Sequence, residues 1–387
     1  MDSFSVCGRI LLGRELVAGT LVVRDGRIDM ILRGQQGREV DARVPQPVLD
    51  AAIVAPGFID LQVNGGFGAE VGEDADALCH LAACLPRTGV TAFLPTVITS
   101  PPAFYPRVFA AYDAARGAVG ARLLGLHLEG PFLSPARKGA HRQDLIEDAD
   151  LTLFDLFLQN EAVRLVTVAP ERPGVLAHIR QLRERGVLVS LGHTDADYEG
   201  FMRGVDMGAR MATHLYNAMS PFGHRAPGVI GAALLDDRVT VGLIPDGVHS
   251  HPASVRLAVR LKGSDSVALV TDMIAAAGMP PGTYSLGGVP VHVDGDVARR
   301  DDGTLSGSVL TLDQAVRNVV SWAGVTPADA LRMASEIPAR LLGLERAGRI
   351  VVGADADLVL LDDKLCVTGA IIGGERVYGE EEPWTVR

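Results

Sequence analysis

Gly125-Leu126-His127-Leu128-Glu129-Gly130-Pro131-Phe132-Leu133-Ser134-Pro135-Ala136-Arg137-Lys138-Gly139-Ala140-His141 is the stretch whose reading decides the fold. It opens from the apolar run Leu123-Leu124-Gly125-Leu126 and is stopped by Gly130-Pro131. That pattern predicts a buried strand running into a loop. The strand end carries His127 and Glu129, and the loop carries Arg137, Lys138 and His141. A carboxylate in such a place is costly to bury unless a positive partner meets it. A metal ion is the obvious partner, and the rest of the chain offers its other ligands.

Working outward, apolar runs recur at Ile53–Leu61, Val90–Leu94, Leu123–Leu126, Leu165–Val168, Val187–Leu191, Met211–Thr213, Val239–Ile244 and Val267–Val270. Helical patterns fall between several of them, at Asp74–Cys84, Pro102–Arg116, Pro173–Arg185, Tyr198–Met207 and Pro252–Lys262. This alternation implies parallel strands joined by right-handed crossovers, and eight strands fit a (β/α)8 TIM barrel over 55–344. Both ends have a different texture. Arg9–Leu12, Gly19–Val23 and Arg27–Ile31 read as strands, with an Asp25-Gly26 hairpin turn. Gly348–Val352, Asp357–Leu361 and Val367–Ile372 read likewise. The expectation is a small β-sandwich domain built jointly from 1–54 and 345–387. Glu380-Glu381-Glu382 reads as a solvated tail.

Composition narrows the function. The 387 residues are 48% hydrophobic, with a net charge of −11 and no basic tract. That argues against nucleic acid as a partner. No apolar run is long enough to span a bilayer, and the amino terminus lacks a secretory pattern. Four cysteines without Cys-x-x-Cys spacing read as free thiols of a cytoplasmic protein.

In a parallel barrel every strand ends at one face, and chemistry belongs there. The polar residues at the strand ends are Asp60, Gln62 and Asn64, then His127 and Glu129, His193, His214, Asp246 and His249, and Asp272. A single histidine at a strand end is ordinarily a hydrogen-bonded cap. Glu129, His193 and His214 together form a two-imidazole, one-carboxylate set, suited to one divalent ion such as Zn²⁺ with a position left for water. Asp272, ending the last strand, is placed to act as general base and then acid. His249 is the candidate for steadying the developing oxyanion, whereas His251 reads as a solvated loop residue. Arg225, in the tight loop Gly223–Gly228, is a candidate anion contact. His141 with Arg137 and Lys138 forms a second basic cluster, whose Arg137 and Lys138 stay unassigned.

Pro56-Gly57-Phe58-Ile59-Asp60-Leu61-Gln62-Val63-Asn64-Gly65, His127-Leu128-Glu129-Gly130-Pro131-Phe132, Leu191-Gly192-His193-Thr194, Thr213-His214-Leu215-Tyr216-Asn217-Ala218-Met219, Pro245-Asp246-Gly247-Val248-His249 and Leu305-Ser306-Gly307-Ser308 together resemble the N-acetylglucosamine-6-phosphate deacetylase family of the amidohydrolase superfamily. The resemblance covers about 50–345, and the flanking β segments resemble that family's small domain. It implies hydrolysis of the acetamide of N-acetylglucosamine 6-phosphate to glucosamine 6-phosphate and acetate, in amino-sugar catabolism. It implies Glu129, His193 and His214 as ligands of one divalent metal, Zn²⁺ or Fe²⁺, and Asp272 as acid/base. It implies substrate contacts at Ala140, His141, Asn217, Ala218, Arg225, His249, Leu305, Ser306 and Gly307. A homodimer, with Arg225 reaching the neighbouring site, follows from the same resemblance. The wider superfamily carries His-x-His after strand one and binds two metals; here Gln62-Val63-Asn64 stands there, and strand four ends in Ala169-Pro170-Glu171 without a lysine. One metal per chain is therefore expected, with Gln62 orienting water. Two alternatives stay open: action on another amide such as N-acetylgalactosamine 6-phosphate, or a non-catalytic scaffold.

Overall fold

The computed structural model describes residues 3–34, 44–147 and 150–379; the expected acidic tail at Glu380–Glu382 lies outside them. Eight parallel strands form the centre: β1 (Phe58–Val63), β2 (Val90–Ile98), β3 (Leu126–Glu129), β4 (Val163–Val168), β5 (Leu188–Leu191), β6 (Met211–Ala212), β7 (Thr240–Leu243) and β8 (Val267–Leu269). They pair in sequence order. The strands are buried on both faces, which explains why they read as continuous apolar runs rather than alternating ones. The ring is closed past the end of β8: the Asp272 amide donates to the Gln62 carbonyl (2.9 Å) and the Asn64 amide to the Met273 carbonyl (2.8 Å). That seam places Asp272 beside the end of β1.

Helices Ala75–Cys84, Tyr105–Ala115, Val175–Glu184, Tyr198–Met207 and Pro252–Lys262 lie in the expected crossovers. Asp74 and Asp197 cap two of them, accepting from the amides of Asp76 and Gly200. Helices Leu153–Gln159 and Gly228–Leu235 carry further crossovers, and Leu312–Ala323 follows β8; the sequence pattern did not mark these three.

The small domain is one seven-stranded sheet. Its order is Glu375–Gly379, Val367–Ile372, Leu358–Leu361, Val48–Pro56, Ser3–Leu12, Glu15–Arg24, Arg27–Arg33. The two ends of the chain meet where Val48–Pro56 runs antiparallel to Leu358–Leu361. A separate apolar cluster, including Phe4, Val6, Ile10, Leu21, Val54, Leu358 and Ile371, holds the sheet together.

Three strand expectations need correction. The run Ile53–Leu61 is two strands in two sheets, divided at Gly57, where a Cβ would collide with the Thr91 side chain. The run Leu123–Leu126 is broken at Gly125, whose φ of +133° is open to glycine. Arg122–Leu123 pairs beside β2, and β3 starts at Leu126, so His127 and Glu129 lie within the strand. Gly348–Val352 is not a strand; Ile350 there only plugs the small core, and the seventh strand is Glu375–Gly379.

One further element bears on the site. Strands Gly282–Leu286, Val289–Asp294 and Val297–Arg299 form an antiparallel meander over the barrel's C-terminal rim. It has its own apolar cluster, packed against Ile98 and Ala140.

Candidate active site

The C-terminal rim holds a cavity of about 380 Å³. Its wall includes Asn64, Ile98, Glu129, Arg137, Ala140, His141, His193, His214, Asn217, Ala218, His249, Asp272, Leu286, Thr304, Leu305 and Gly307. The strand-end residues from β1, β3, β5, β6, β7 and β8 thus converge on one space, as a closed parallel barrel requires.

Glu129, His193 and His214 are buried, and their ligand atoms all lie within 4.8 Å of one another. His214 Nε2 stands 3.0 Å from His193 Nε2 and 3.2 Å from Glu129 Oε1; His193 Nε2 stands 3.4 Å from that same oxygen. Ligand atoms about 2.1 Å from a tetrahedral ion would lie roughly 3.4 Å apart. His193 Nδ1 donates to the Arg137 carbonyl at 2.9 Å. Its Nε2 thus faces two other ligand atoms at close range, an arrangement that calls for a cation or shared protons at the centre. Burial pushes the Glu129 carboxyl up, but the facing His193 and His214 more than offset this and hold it well below the usual carboxylate range. Burial pulls the His214 imidazole down, and Glu129 reverses that to a net rise. The donor set fits one divalent ion.

Neighbours orient this set. Gln62 Nε2 donates to Glu129 Oε1 at 3.0 Å, so the amide in place of the superfamily's histidine steers the carboxylate. Glu171 accepts from the Thr194 hydroxyl (2.6 Å) and the Asp195 amide (2.7 Å), fixing the turn that follows His193. His141 Nδ1 meets the Thr99 hydroxyl at 2.9 Å, while its Nε2 lies 3.7 Å from Glu129 Oε2. Burial first, then the neighbouring His193, keeps His141 well below its usual value, hence neutral. His193, His214, Tyr216, Ala218 and Asp272 all have positive φ. Non-glycine residues adopt this conformation rarely, and its clustering here is strain held at a working site.

Asp272 lies at the barrel seam. Its Oδ1 accepts from Asn64 Nδ2 at 2.6 Å. Burial, then the Glu129 charge, raises its carboxyl to about 6. His249 Nδ1 donates to Asp246 Oδ2 at 2.6 Å, which leaves Nε2 as the ring's free nitrogen. Asp246 also accepts from the amides of Val248 and His249. Burial raises its carboxyl, but His249 outweighs that and holds it low.

Several expected residues stand elsewhere. His127 points into the barrel, against the Leu61 carbonyl (3.1 Å) and the Thr167 hydroxyl (2.8 Å). Burial lowers it to about 4, so it is a neutral filler of the barrel interior. Ser306 is fully buried, and its Oγ has no partner among the described residues. Arg225 lies exposed in a loop and does not line the cavity of its own chain. Asn217 Nδ2 donates to the carbonyls of His214 and Leu215, bracing its own loop. The residues that sequence reasoning passed over are Ile98, at the end of β2, and Leu286 and Thr304, in and just after the meander. Asn64 was noted as a strand end, but its bond to Asp272 depends on the seam.

A model of the amidohydrolase family matches residues 53–377. The chain is 40% identical to the N-acetylglucosamine-6-phosphate deacetylase of Danio rerio over 390 residues, covering 96% of this chain and 95% of that one. It is 41% identical over 334 residues to the N-acetylgalactosamine-6-phosphate deacetylase of Escherichia coli O157:H7, covering 84% and 88%. A solved structure of the Mycobacterium smegmatis N-acetyl-D-glucosamine-6-phosphate deacetylase, in complex with N-acetyl-D-glucosamine-6-phosphate, superposes with a TM-score of 0.90 at 35% identity, covering 97% of this chain and all of that one.

Proposed function

The chain belongs to the amidohydrolase family, and from that premise we propose that it hydrolyses the acetamide of N-acetyl-D-glucosamine 6-phosphate to D-glucosamine 6-phosphate and acetate. The observation that carries the reading is the meeting of Glu129, His193 and His214 with Asp272 in one cavity, in a chain that aligns along nearly its whole length with deacetylases of that substrate. A scaffold would gain nothing from burying such a cluster, because each of these groups loses hydration without adding apolar contact.

Glu129, His193 and His214 hold one divalent ion, Zn²⁺ by the chemistry of the donor set, with Gln62 steadying the carboxylate. When bound, the ion supplies Lewis acidity, polarising the amide carbonyl and acidifying water. Asp272, kept in place by Asn64, takes a proton from the attacking water as the new C–O bond forms. His249, anchored through Nδ1 to Asp246, donates from Nε2 to the oxygen on which negative charge develops when both of its ring nitrogens carry a proton. Asp272 then gives its proton to the nitrogen, the C–N bond breaks, and acetate and the free amine leave. Ala140, His141, Asn217, Ala218, Leu305 and Gly307, all in the cavity wall, serve the sugar and its phosphate.

Arg225 is the phosphate contact delivered by the second subunit of a homodimer. Its exposure in its own chain, beside Phe222 at 61% exposed, supports that role. The described cysteines are free thiols, and no described helix is long and apolar enough to cross a membrane; a reducing cytoplasmic setting accords with the thiols.

Acetate release from N-acetylglucosamine 6-phosphate and from N-acetylgalactosamine 6-phosphate, measured side by side, tests the reading. The glucosamine substrate should give the higher kcat/KM. Preference for the galactosamine epimer would move the assignment to the second kind of relative, and no release from either would refute deacetylation.

A further inference from the structure

Two cavities open at the barrel rim and share a wall. Behind the catalytic cavity lies a second one of about 460 Å³, bounded by Glu70, Phe104, Arg142 and Gly287 among others. Three residues line both: Asn64, Ile98 and Leu286. Asn64 is committed to Asp272 through its side-chain amide. The remaining partition is therefore Ile98, the last residue of β2, and Leu286, at the turn of the overlying meander.

The partition is built rather than incidental. Leu286 is only 4% exposed and packs with Ile274, Val291 and Ile98. The turn beyond it is fastened down, because the Gly287 amide donates to Glu70 Oε1 at 2.6 Å. Gly287 has a φ of +60°, and a Cβ there would sit 2.6 Å from Ile98 Cδ1. A side chain at this position would strain the backbone and displace the tip of Ile98, so glycine lets the turn press closely on β2.

Position in the ring gives the wall its meaning. Asn217 and Ala218 follow β6 and His249 follows β7, where polar contacts suit a sugar phosphate. Ile98 ends β2, four strands round the eight-stranded ring from β6, beside the Asn64–Asp272 pair. The part of the substrate that wants an apolar surface next to the reacting carbon is the acyl chain. We propose that Ile98 and Leu286 form the wall that limits the length of the acyl group removed, and that the cavity behind them is the space a longer acyl chain enters once the wall is shortened. This rests on the deacetylase reading above.

The test compares kcat/KM for the N-acetyl, N-butanoyl and N-hexanoyl derivatives of glucosamine 6-phosphate in the wild type, Leu286→Ala and Ile98→Ala. An apolar pocket discriminates by roughly tenfold or more per methylene. The wild type should therefore favour acetyl over butanoyl by at least about 100-fold, and each variant should narrow that ratio by about tenfold or more. Circular dichroism establishes that the variants fold; if Leu286→Ala does not, Ile98→Val carries the same comparison. An unchanged ratio in folded variants that still release acetate would overturn the proposal, as would a wild type that takes butanoyl as readily as acetyl. Release of no acyl group from any substrate would instead refute the deacetylase reading, and the wall's role with it.

Discussion

Asp60→Asn should make the protein more stable at neutral and alkaline pH. Asp60 is wholly buried in β1, where it accepts from the Thr271 hydroxyl (2.6 Å) and from the amides of Gln62 and Thr271. Those three bonds favour the carboxylate, yet burial outweighs them and raises the carboxyl from 3.8 to about 7. A raised carboxyl binds its proton more tightly in the folded state. Its stabilisation is therefore complete below pH 3.8 and is lost as pH rises through about 7. Across that whole window the loss is about 4 kcal/mol, at about 1.4 kcal/mol per tenfold change in proton affinity. Between pH 5 and pH 8 it is about 2.5 kcal/mol. Asparagine keeps one oxygen for the two amides. Its NH₂ can face the Thr271 hydroxyl, which has the Gln62 carbonyl (3.3 Å) as a second acceptor. Chemical denaturation of both proteins at several pH values isolates the effect, since other titrations cancel in the difference. Asp60→Asn should gain about 2.5 kcal/mol on the wild type between pH 5 and pH 8. A difference that stays flat with pH, or one that favours the wild type increasingly as pH rises, would refute the reasoning.

Asp272→Asn should retain its metal and lose about 10²- to 10⁴-fold in kcat, the usual contribution of a general acid/base; loss of metal along with activity would point to a ligand role. Because the working form of Asp272 is the carboxylate and its carboxyl is raised to about 6, kcat/KM of the wild type should fall as pH drops through about 6, and a profile flat to pH 4 would remove Asp272 from the proton-transfer step. Arg225→Ala should raise KM for the phosphorylated sugar far more than for N-acetylglucosamine itself; equal effects on both would separate Arg225 from the phosphate.

Much of the site was legible because barrel topology is a strong constraint. Once β1 to β8 were recognised as parallel, His193 and His214 had to meet Glu129, however distant in sequence. What escaped was whatever depends on how irregular segments pack. Gly57 and Gly125 divide runs that are largely apolar, and apolarity alone cannot show that the two halves of each form different strands. Gly348–Val352 has strand composition, but Ile350 is only a plug in the small core. His127 has the same strand-end pattern as the metal ligands. Alternation puts it on the same inward face as Glu129, but two residues deeper in the barrel, against Thr167 rather than at the rim. Leu286 reached the cavity through a meander docked by apolar packing on Ile98 and Ala140 and by the Glu70 bond to Gly287, and nothing local in the sequence marks that.

Metal content per chain, measured in parallel on the wild type and on His214→Ala after equilibration with Zn²⁺, tests the central claim most directly. The account predicts one tightly held ion in the wild type and almost none in the variant, whose buried Glu129 and His193 alone make a poor site. Equal occupancy in the two proteins would contradict it.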